Sequence, residues 1–249
     1  MSAVVAKLRA AGCVFAEEEA RLLTTAASTP AELDSMVERR VSGLPLEHVL
    51  GWAEFCGMRV AVDPGVFVPR PRSEFLVEQA AALTPPGALV VDLCCGSGAV
   101  AAALASRVEG IELHAVDVDP ASVRCARRNV PGRVYEGNLY EPLPAGLRGR
   151  MQVVVANAPY VPTGEIRLMP PEAREYEPRT ALNGGADGLD IVRRIVSEAP
   201  AWLAPGGHVL VETSEDQAPH ALEAVAASGL TPHVASSDEL DATVVIGAA

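Results

Sequence analysis

The sequence predicts an α/β protein, a parallel sheet flanked by helices and preceded by a short helical segment and a hairpin. Three observations carry that fold class. From Ala88 onward, apolar strand-like runs alternate with helical patterns, the rhythm of a parallel sheet. One run, Val153-Val154-Val155-Ala156, is apolar at every position and stops abruptly at Asn157, as a strand covered on both faces would. Before residue 44 the apolar residues recur at helical spacing instead. A chain of 249 residues can bury one sizeable core plus a small appendage.

The elements follow in order. Val4, Val5, Leu8 and Ala11 mark one helical stripe, and Ala20, Leu22, Leu23 and Ala26 a second. Thr29-Pro30-Ala31-Glu32 reads as a cap and first turn for a third helix carrying Leu33, Met36 and Val37. Three short helices build little core alone, so residues 1–44 form a structural lid or a substrate-docking domain packed on the rest. Residues 45–68 read as a β-hairpin linker, with strand-like pieces at Trp52 to Cys56 and Met58 to Val62 punctuated by Gly51 and Gly57. Pro69 and Pro71 then stiffen an extended lead-in to a helix with Phe75, Leu76, Gln79 and Ala80 on one face.

Residues 69–249 form the main domain. Ala88 to Asp92 is its first strand, followed by a glycine-bearing turn and a helix from Ala99 to Ala105. Ile111 to Val116 is the second strand and ends at Asp117, and Asp119-Pro120 caps and opens the next helix. Val134 lies in a third short strand before Gly137-Asn138-Leu139-Tyr140. After the run that ends at Asn157 comes a loop of roughly 25 residues from Val161 to Ala186, a length that usually signals function or disorder. A helix from Asp187 to Leu203, a strand from Gly207 to Thr213 and a helix capped by Ser214 follow. Strands near Leu230 to Val234 and Ala242 to Ile246 close the sheet.

Composition narrows the function classes. The formal charge of −12 argues against tight binding to a nucleic-acid backbone, which needs clustered Lys and Arg. Arg124, Arg127, Arg128 and Arg133 are the one basic cluster, placed by the pattern at a helix end, where cations complement the helix dipole. Five cysteines without CxxC spacing and five scattered histidines point to reduced thiols and no metal site. No apolar run approaches a membrane span and no secretory pattern opens the chain, so a cytoplasmic protein is expected.

The chemistry concentrates at strand ends. Gly96 and Gly98 let the chain turn tightly after the first strand and approach a ligand closely. Asp117 lies about 20 positions beyond Gly96 at the end of the second strand, where a carboxylate can accept both hydrogens of a ribose diol. Alanines stand where a third glycine would complete a dinucleotide fingerprint, and the lysine of a phosphate-binding loop is missing. Both absences favour a nucleoside without a pyrophosphate, and S-adenosylmethionine fits. Asn138 is placed either to meet an adenine or simply to make a turn. Asn157-Ala158-Pro159-Tyr160 suits a flat NH2-bearing group: the Asn157 side-chain oxygen and the Ala158 carbonyl accept its hydrogens, Pro159 stiffens the turn and Tyr160 packs on its plane. Such a pair of acceptors orients a poorly nucleophilic amide or amine nitrogen for methyl transfer.

Together, Pro45-Leu46-Glu47-His48-Val49-Leu50-Gly51, Phe67 to Glu74, Asp92 to Gly98, Asn157 to Tyr160, Glu177-Pro178, Ala181-Leu182, Gly185, Asp187-Gly188, Glu212 and Gln217 resemble the protein-(glutamine-N5) methyltransferases that act on peptide-chain release factors. The resemblance runs from about Gly43 to the C-terminus. It implies a Rossmann-like, class I seven-stranded methyltransferase sheet behind a small N-terminal helical domain, with S-adenosylmethionine as cofactor and a protein as substrate. It implies donor contacts from Phe67, Ser73, Gly96, Asp117, Asn138 and Asn157, a set that Gly98 and Leu139 complete. It implies that Asn157, Ala158, Pro159 and Tyr160 hold the substrate glutamine and that Glu177 and Pro178 shape its loop. The chain departs from the family pattern at Ala158, where Pro is usual, at Asn138, where Asp is commoner, and in a shorter helical domain. Adenine-N6 methylation of RNA or DNA shares the Asn-x-Pro-Tyr motif, and a non-catalytic donor-binding module is the third reading.

Overall fold

A computed structural model describes residues 2–249. Three helices open the chain, α1 Ser2–Ala10, α2 Ala16–Ala26 and α3 Pro30–Val41. Thr29 caps α3 as its sequence dictates, its hydroxyl accepting from the Glu32 backbone N–H at 3.1 Å with Pro30 in the first turn. Their apolar stripes meet in one cluster around Leu8, Leu23, Met36 and Val37.

The stretch after Pro45 departs from the expected linker. Leu46–Leu50 forms a fourth helix, α4, and Val49 joins the same cluster. Five residues are too few to display a helical period, so nothing in the pattern could announce it. The hairpin then forms as expected from β1 Trp52–Phe55 and β2 Met58–Ala61. Its two turn residues, Cys56 and Gly57, both have positive φ, the backbone that tight hairpins demand.

The remaining elements are α5 Ser73–Ala82, β3 Leu89–Leu93, α6 Ala99–Arg107, β4 Glu112–Asp117, α7 Pro120–Asn129, β5 Arg133–Glu136 and β6 Met151–Ala156. After them come α8 Pro171–Tyr176, α9 Arg179–Leu182, α10 Asp190–Glu198, β7 Leu203–Thr213, α11 Ala218–Ala227, β8 Thr231–Ser237 and β9 Ala242–Ala248. Seven strands form one sheet in the order β5-β4-β3-β6-β7-β9-β8, parallel as far as β7 and antiparallel at β9 and β8. The unbroken apolar run of β6 is explained by this layering. Val153 and Val155 face the side covered by α5, α6 and α7, while Val154 and Ala156 face α10 and α11.

Three further expectations need correction. The segment from Val161 to Ala186 is not structureless: it holds a 3-10 turn at Ile166–Leu168, helices α8 and α9, and a bridge from Val161 to Asn183. These pieces span three to six residues, again below the length at which periodicity is legible. Helix α10 is shorter than expected, because Asp187 pairs with Arg193 from outside it and the chain tightens into a 3-10 turn holding Pro200, which has no N–H to donate. Ser214 does not cap α11; its hydroxyl donates to Gln217 Oε1, and the helix starts four residues later.

Chain direction positions the site. The sheet order reverses between β3 and β6, which neighbour each other although β4 and β5 intervene in sequence. In open α/β sheets that reversal leaves a crevice at the carboxyl ends of the strands. Register places Leu93 between Val116 and Ala156, so the residues after them, Cys94, Asp117 and Asn157, stand in one row along it.

Candidate active site

A cavity of about 290 Å³ occupies that crevice. Of the residues picked out from the sequence, Phe67, Ser73, Gly96, Asp117, Asn138, Leu139, Asn157, Ala158, Pro159, Tyr160 and Pro178 all line it. Gly98 and Glu177 do not, and each has another reason to be where it is. Gly98 has φ +78° at the start of α6, and a Cβ there would run into Val130 of the chain following α7. Glycine is needed at that point for helix packing and a left-handed turn. Glu177 turns inward, its Oε1 accepting from the Val68 N–H at 3.2 Å and the Arg70 guanidinium at 2.5 Å. It straps the segment after β6 to the lead-in before α5, leaving Pro178 to face the cavity.

One end of the cavity carries the two strand-end carboxylates, Asp92 and Asp117. Asp117 Oδ2 accepts from the Gly96 N–H and Oδ1 from the Asp119 N–H, both at 2.8 Å. Those bonds fix the carboxylate plane and leave a lone pair on each oxygen for further donors. Burial pushes the Asp117 pKa up, against the lowering effect of the same backbone N–H groups. Deeper in the turn, Asp92 is fully enclosed, accepts from the Ala101 N–H at 3.1 Å, and has its pKa pushed up to about 8 by burial. Cys94 takes positive φ between them, and burial raises its thiol pKa well beyond the usual range. Across the cavity the Asn138 Nδ2 donates to Glu141 at 2.9 Å, which leaves its oxygen free, and Leu139 turns into the wall with φ +51°.

The other end presents the acceptor pair. The Asn157 Nδ2 donates to Ser73 Oγ at 2.9 Å, so its Oδ1 is the end left for a ligand. Among the described residues no backbone hydrogen bond ends on the Ala158 carbonyl. Two carbonyl-type acceptors with nothing to bind, on consecutive residues, match an NH2 group with two hydrogens. Tyr160 closes the wall, its hydroxyl donating to Glu212 Oε1 at 3.2 Å, and burial pushes its pKa up to about 12.

Support comes from residues that the strand-end reading did not select. Gln217 Nε2 donates to the carbonyls of Tyr160 and Asp187, each at 2.9 Å. Gly188 packs so closely on that Tyr160 carbonyl that no side chain fits there. Arg70 lies over Phe67, 5.1 Å from the ring centroid, and Arg72, Met169, Thr180 and Leu182 complete the rim. Glu212, near the end of an apolar strand, and Gln217 after it entered the sequence reading only through the resemblance, a signal without a direction until the fold brings them beneath Tyr160.

Comparison with known proteins gives the arrangement a context. The methyltransferase small domain family matches residues 57–169. A release factor glutamine methyltransferase of Geobacter sulfurreducens is 38% identical over 217 residues, covering 85% of this chain and 75% of the relative. One of Streptomyces coelicolor is 39% identical over 189 residues, covering 73% and 67%. A 4-amino-L-phenylalanine/4-methylamino-L-phenylalanine methyltransferase of Streptomyces pristinaespiralis is 35% identical over 223 residues, covering 85% and 75%. Among solved structures, a methyltransferase of Pyrococcus furiosus superposes with a TM-score of 0.58 at 18% identity, covering 77% of this chain and 89% of that one. A 16S rRNA methyltransferase of T. thermophilus, solved with AdoMet and guanosine, gives 0.58 at 20% identity, covering 79% and 49%. The sheet is therefore the Rossmann-like class I methyltransferase fold.

Proposed function

Because this chain belongs to the release factor glutamine methyltransferase family, we propose that it methylates the side-chain amide nitrogen (N5) of a glutamine in a peptide-chain release factor, the glutamine of the Gly-Gly-Gln loop. It is an S-adenosylmethionine-dependent enzyme, and the donor, when bound, supplies an electrophilic methyl group. The observation that carries the reading is the orientation of Asn157. With Nδ2 committed to Ser73, its Oδ1 and the Ala158 carbonyl are left to accept both hydrogens of the glutamine amide. A carboxamide nitrogen is a weak nucleophile because its lone pair is delocalised into the carbonyl. Holding both N–H bonds fixes the group and raises electron density on nitrogen, so positioning and electrostatics replace a strong base.

The other assignments follow from that frame. Phe67, Gly96, Asp117, Asn138 and Leu139 are the donor-binding set, with Asp117 as the ribose acceptor; Gly98 and Glu177 support it from outside. Pro159 and Tyr160 pack on the glutamine plane, and Pro178 lines its approach. Residues 1–44 are the docking surface for the protein substrate. Methylation of adenine is not favoured: the chain carries a formal charge of −12, and the relatives compared above are named for glutamine and amino-acid substrates. Among the described residues no helix is long and apolar enough to cross a membrane.

The test is peptide mass spectrometry on a recombinant release factor incubated with this enzyme and S-adenosylmethionine. One added methyl on the Gly-Gly-Gln glutamine is expected, and none with Asn157→Ala, whose donor binding by calorimetry stays near that of the parent. Methyl transfer to 4-amino-L-phenylalanine with none to the release factor would overturn the substrate. Equal turnover by Asn157→Ala would overturn the role of the acceptor pair.

A further inference from the structure

We infer that Glu172 and Tyr176, two residues outside the cavity, are positioning residues: by fastening α8 to the helical segment they set the substrate-side wall of the cavity. The inference rests on the reading of that wall as the approach for the substrate glutamine.

The segment between β6 and α10 is a loop closed at its base. There Val161 bridges to Asn183, with the Val161 N–H donating to the Leu182 carbonyl at 3.0 Å and the Gly184 N–H to the Val161 carbonyl at 2.9 Å. This base follows directly on Tyr160. The outer part of the loop is α8, and the chain on both sides of it returns to the cavity. Met169 before α8 and Pro178 after it are both lining residues, as are Thr180, Ala181 and Leu182. Where α8 sits therefore decides where Met169 and Pro178 stand. A helix of six residues is not stable by itself, so contacts from outside have to place it.

The helical segment supplies those contacts. Glu172 and Tyr176 lie four positions apart on α8 and so share one face. Glu172 Oε1 accepts from Arg40 Nη1 at 2.7 Å, and the Tyr176 hydroxyl donates to the Ser42 carbonyl at 3.0 Å. Arg40 is a fixed anchor. It is buried, Glu19 accepts from its Nε and Nη2 at 2.6 and 3.1 Å, and its Nη1 also donates to the Leu44 carbonyl at 3.0 Å. A planar guanidinium held in this way cannot follow a moving partner, so Glu172 takes its position from Arg40. At the far end of α8, Glu177 accepts from Val68 and Arg70 and hands the chain on to Pro178. Removing Glu172 leaves Arg40 paired with Glu19, and the Glu172 side chain is itself 46% exposed, so its loss strands no buried charge.

The experiment uses the full-length enzyme and the substrate that the parent methylates. For Glu172→Ala combined with Tyr176→Phe we expect kcat to fall about 10-fold or more. KM for that substrate and the Kd for S-adenosylhomocysteine should stay within about threefold. A role confined to docking would raise KM and spare kcat; that result, or a kcat within about twofold of the parent, overturns the inference. Glu172→Gln keeps an oxygen that accepts from Arg40 and should retain most of the rate. Were it as slow as Glu172→Ala, the hold through Arg40 would be refuted. Hydrogen exchange in the donor-free enzyme gives a readout independent of any substrate. Backbone amides of residues 165–182 should exchange faster in the double variant, with those of β3 and β6 unchanged; equal exchange in both proteins would also overturn it. A parent that left release factors unmethylated would reject the proposed substrate, while the exchange measurement still decided the role of Glu172 and Tyr176.

Discussion

Replacing Asp117 by Asn tests the donor end of the cavity at the level of single hydrogen bonds. Each carboxylate oxygen accepts one backbone N–H at 2.8 Å, from Gly96 and from Asp119, and retains a lone pair directed away from the chain. A ribose offers two hydroxyl donors, one for each. In Asp117→Asn one oxygen becomes an NH2 group that meets a backbone N–H head-on and can accept nothing from the sugar. A hydrogen bond to a charged group contributes ~1.5–3 kcal/mol, so the donor Kd should rise about 10- to 150-fold. Calorimetry with S-adenosylhomocysteine measures this directly. Ribose-deoxygenated analogues sharpen it: the parent should lose affinity when a contacted hydroxyl is removed, and Asp117→Asn should lose far less. Burial raises the Asp117 pKa, and the donor needs the ionised form. Affinity should therefore fall as pH drops towards that pKa in the parent and stay flatter in the variant. A Kd within twofold of the parent, or full sensitivity to deoxygenation in the variant, would mean that the ribose does not meet this carboxylate.

Three other perturbations separate packing from binding. Gly98→Ala places a methyl against Val130 at positive φ, so a loss of about 1–3 kcal/mol is expected in thermal unfolding, while donor affinity below the transition survives because Gly98 lies outside the cavity. Arg40→Met leaves Glu19 buried without its guanidinium partner, and a loss of about 3–5 kcal/mol should show as early release of the N-terminal helices in limited proteolysis. Asp92 holds its proton up to about pH 8 in the folded chain but loses it near 4 when unfolded. Its contribution to stability is thus complete below the unfolded value and disappears as pH rises through about 8. Asp92→Asn keeps an acceptor for the Ala101 N–H, so its Tm relative to the donor-free parent should be higher at pH 8 than at pH 4; an equal difference at both would refute the assignment.

What the sequence disclosed follows from length and direction. Elements of nine or more residues with one apolar face, such as α3, α7 and α11, were legible, as were the buried runs of β3 and β6. Asp117 and Asn157 were legible because chemistry in this topology gathers at strand ends, and each stands at or just past one. Helices α4, α8 and α9 were not, because they are held by contacts made elsewhere in the chain rather than by a pattern of their own. Glu212 illustrates the same limit at the level of a side chain. Its meaning depends on Tyr160, 52 positions earlier, and only the pairing of β7 with β6 brings the two together.

The same contacts bind the helical segment to the chemistry. Arg40 is held by Glu19 within that segment and reaches across to Glu172 of α8 at 2.7 Å. Four residues on, at the end of α8, the Tyr176 hydroxyl donates to the Ser42 carbonyl at 3.0 Å and its ring lies over Gly43. The next residue, Glu177, is the strap to Val68 and Arg70, and the one after it, Pro178, is cavity wall. A protein docked on the first three helices would therefore press on a segment whose other end shapes the approach to Asn157. The helical segment and the wall of the cavity are joined through α8 and Glu177, by one buried arginine and one buried carboxylate.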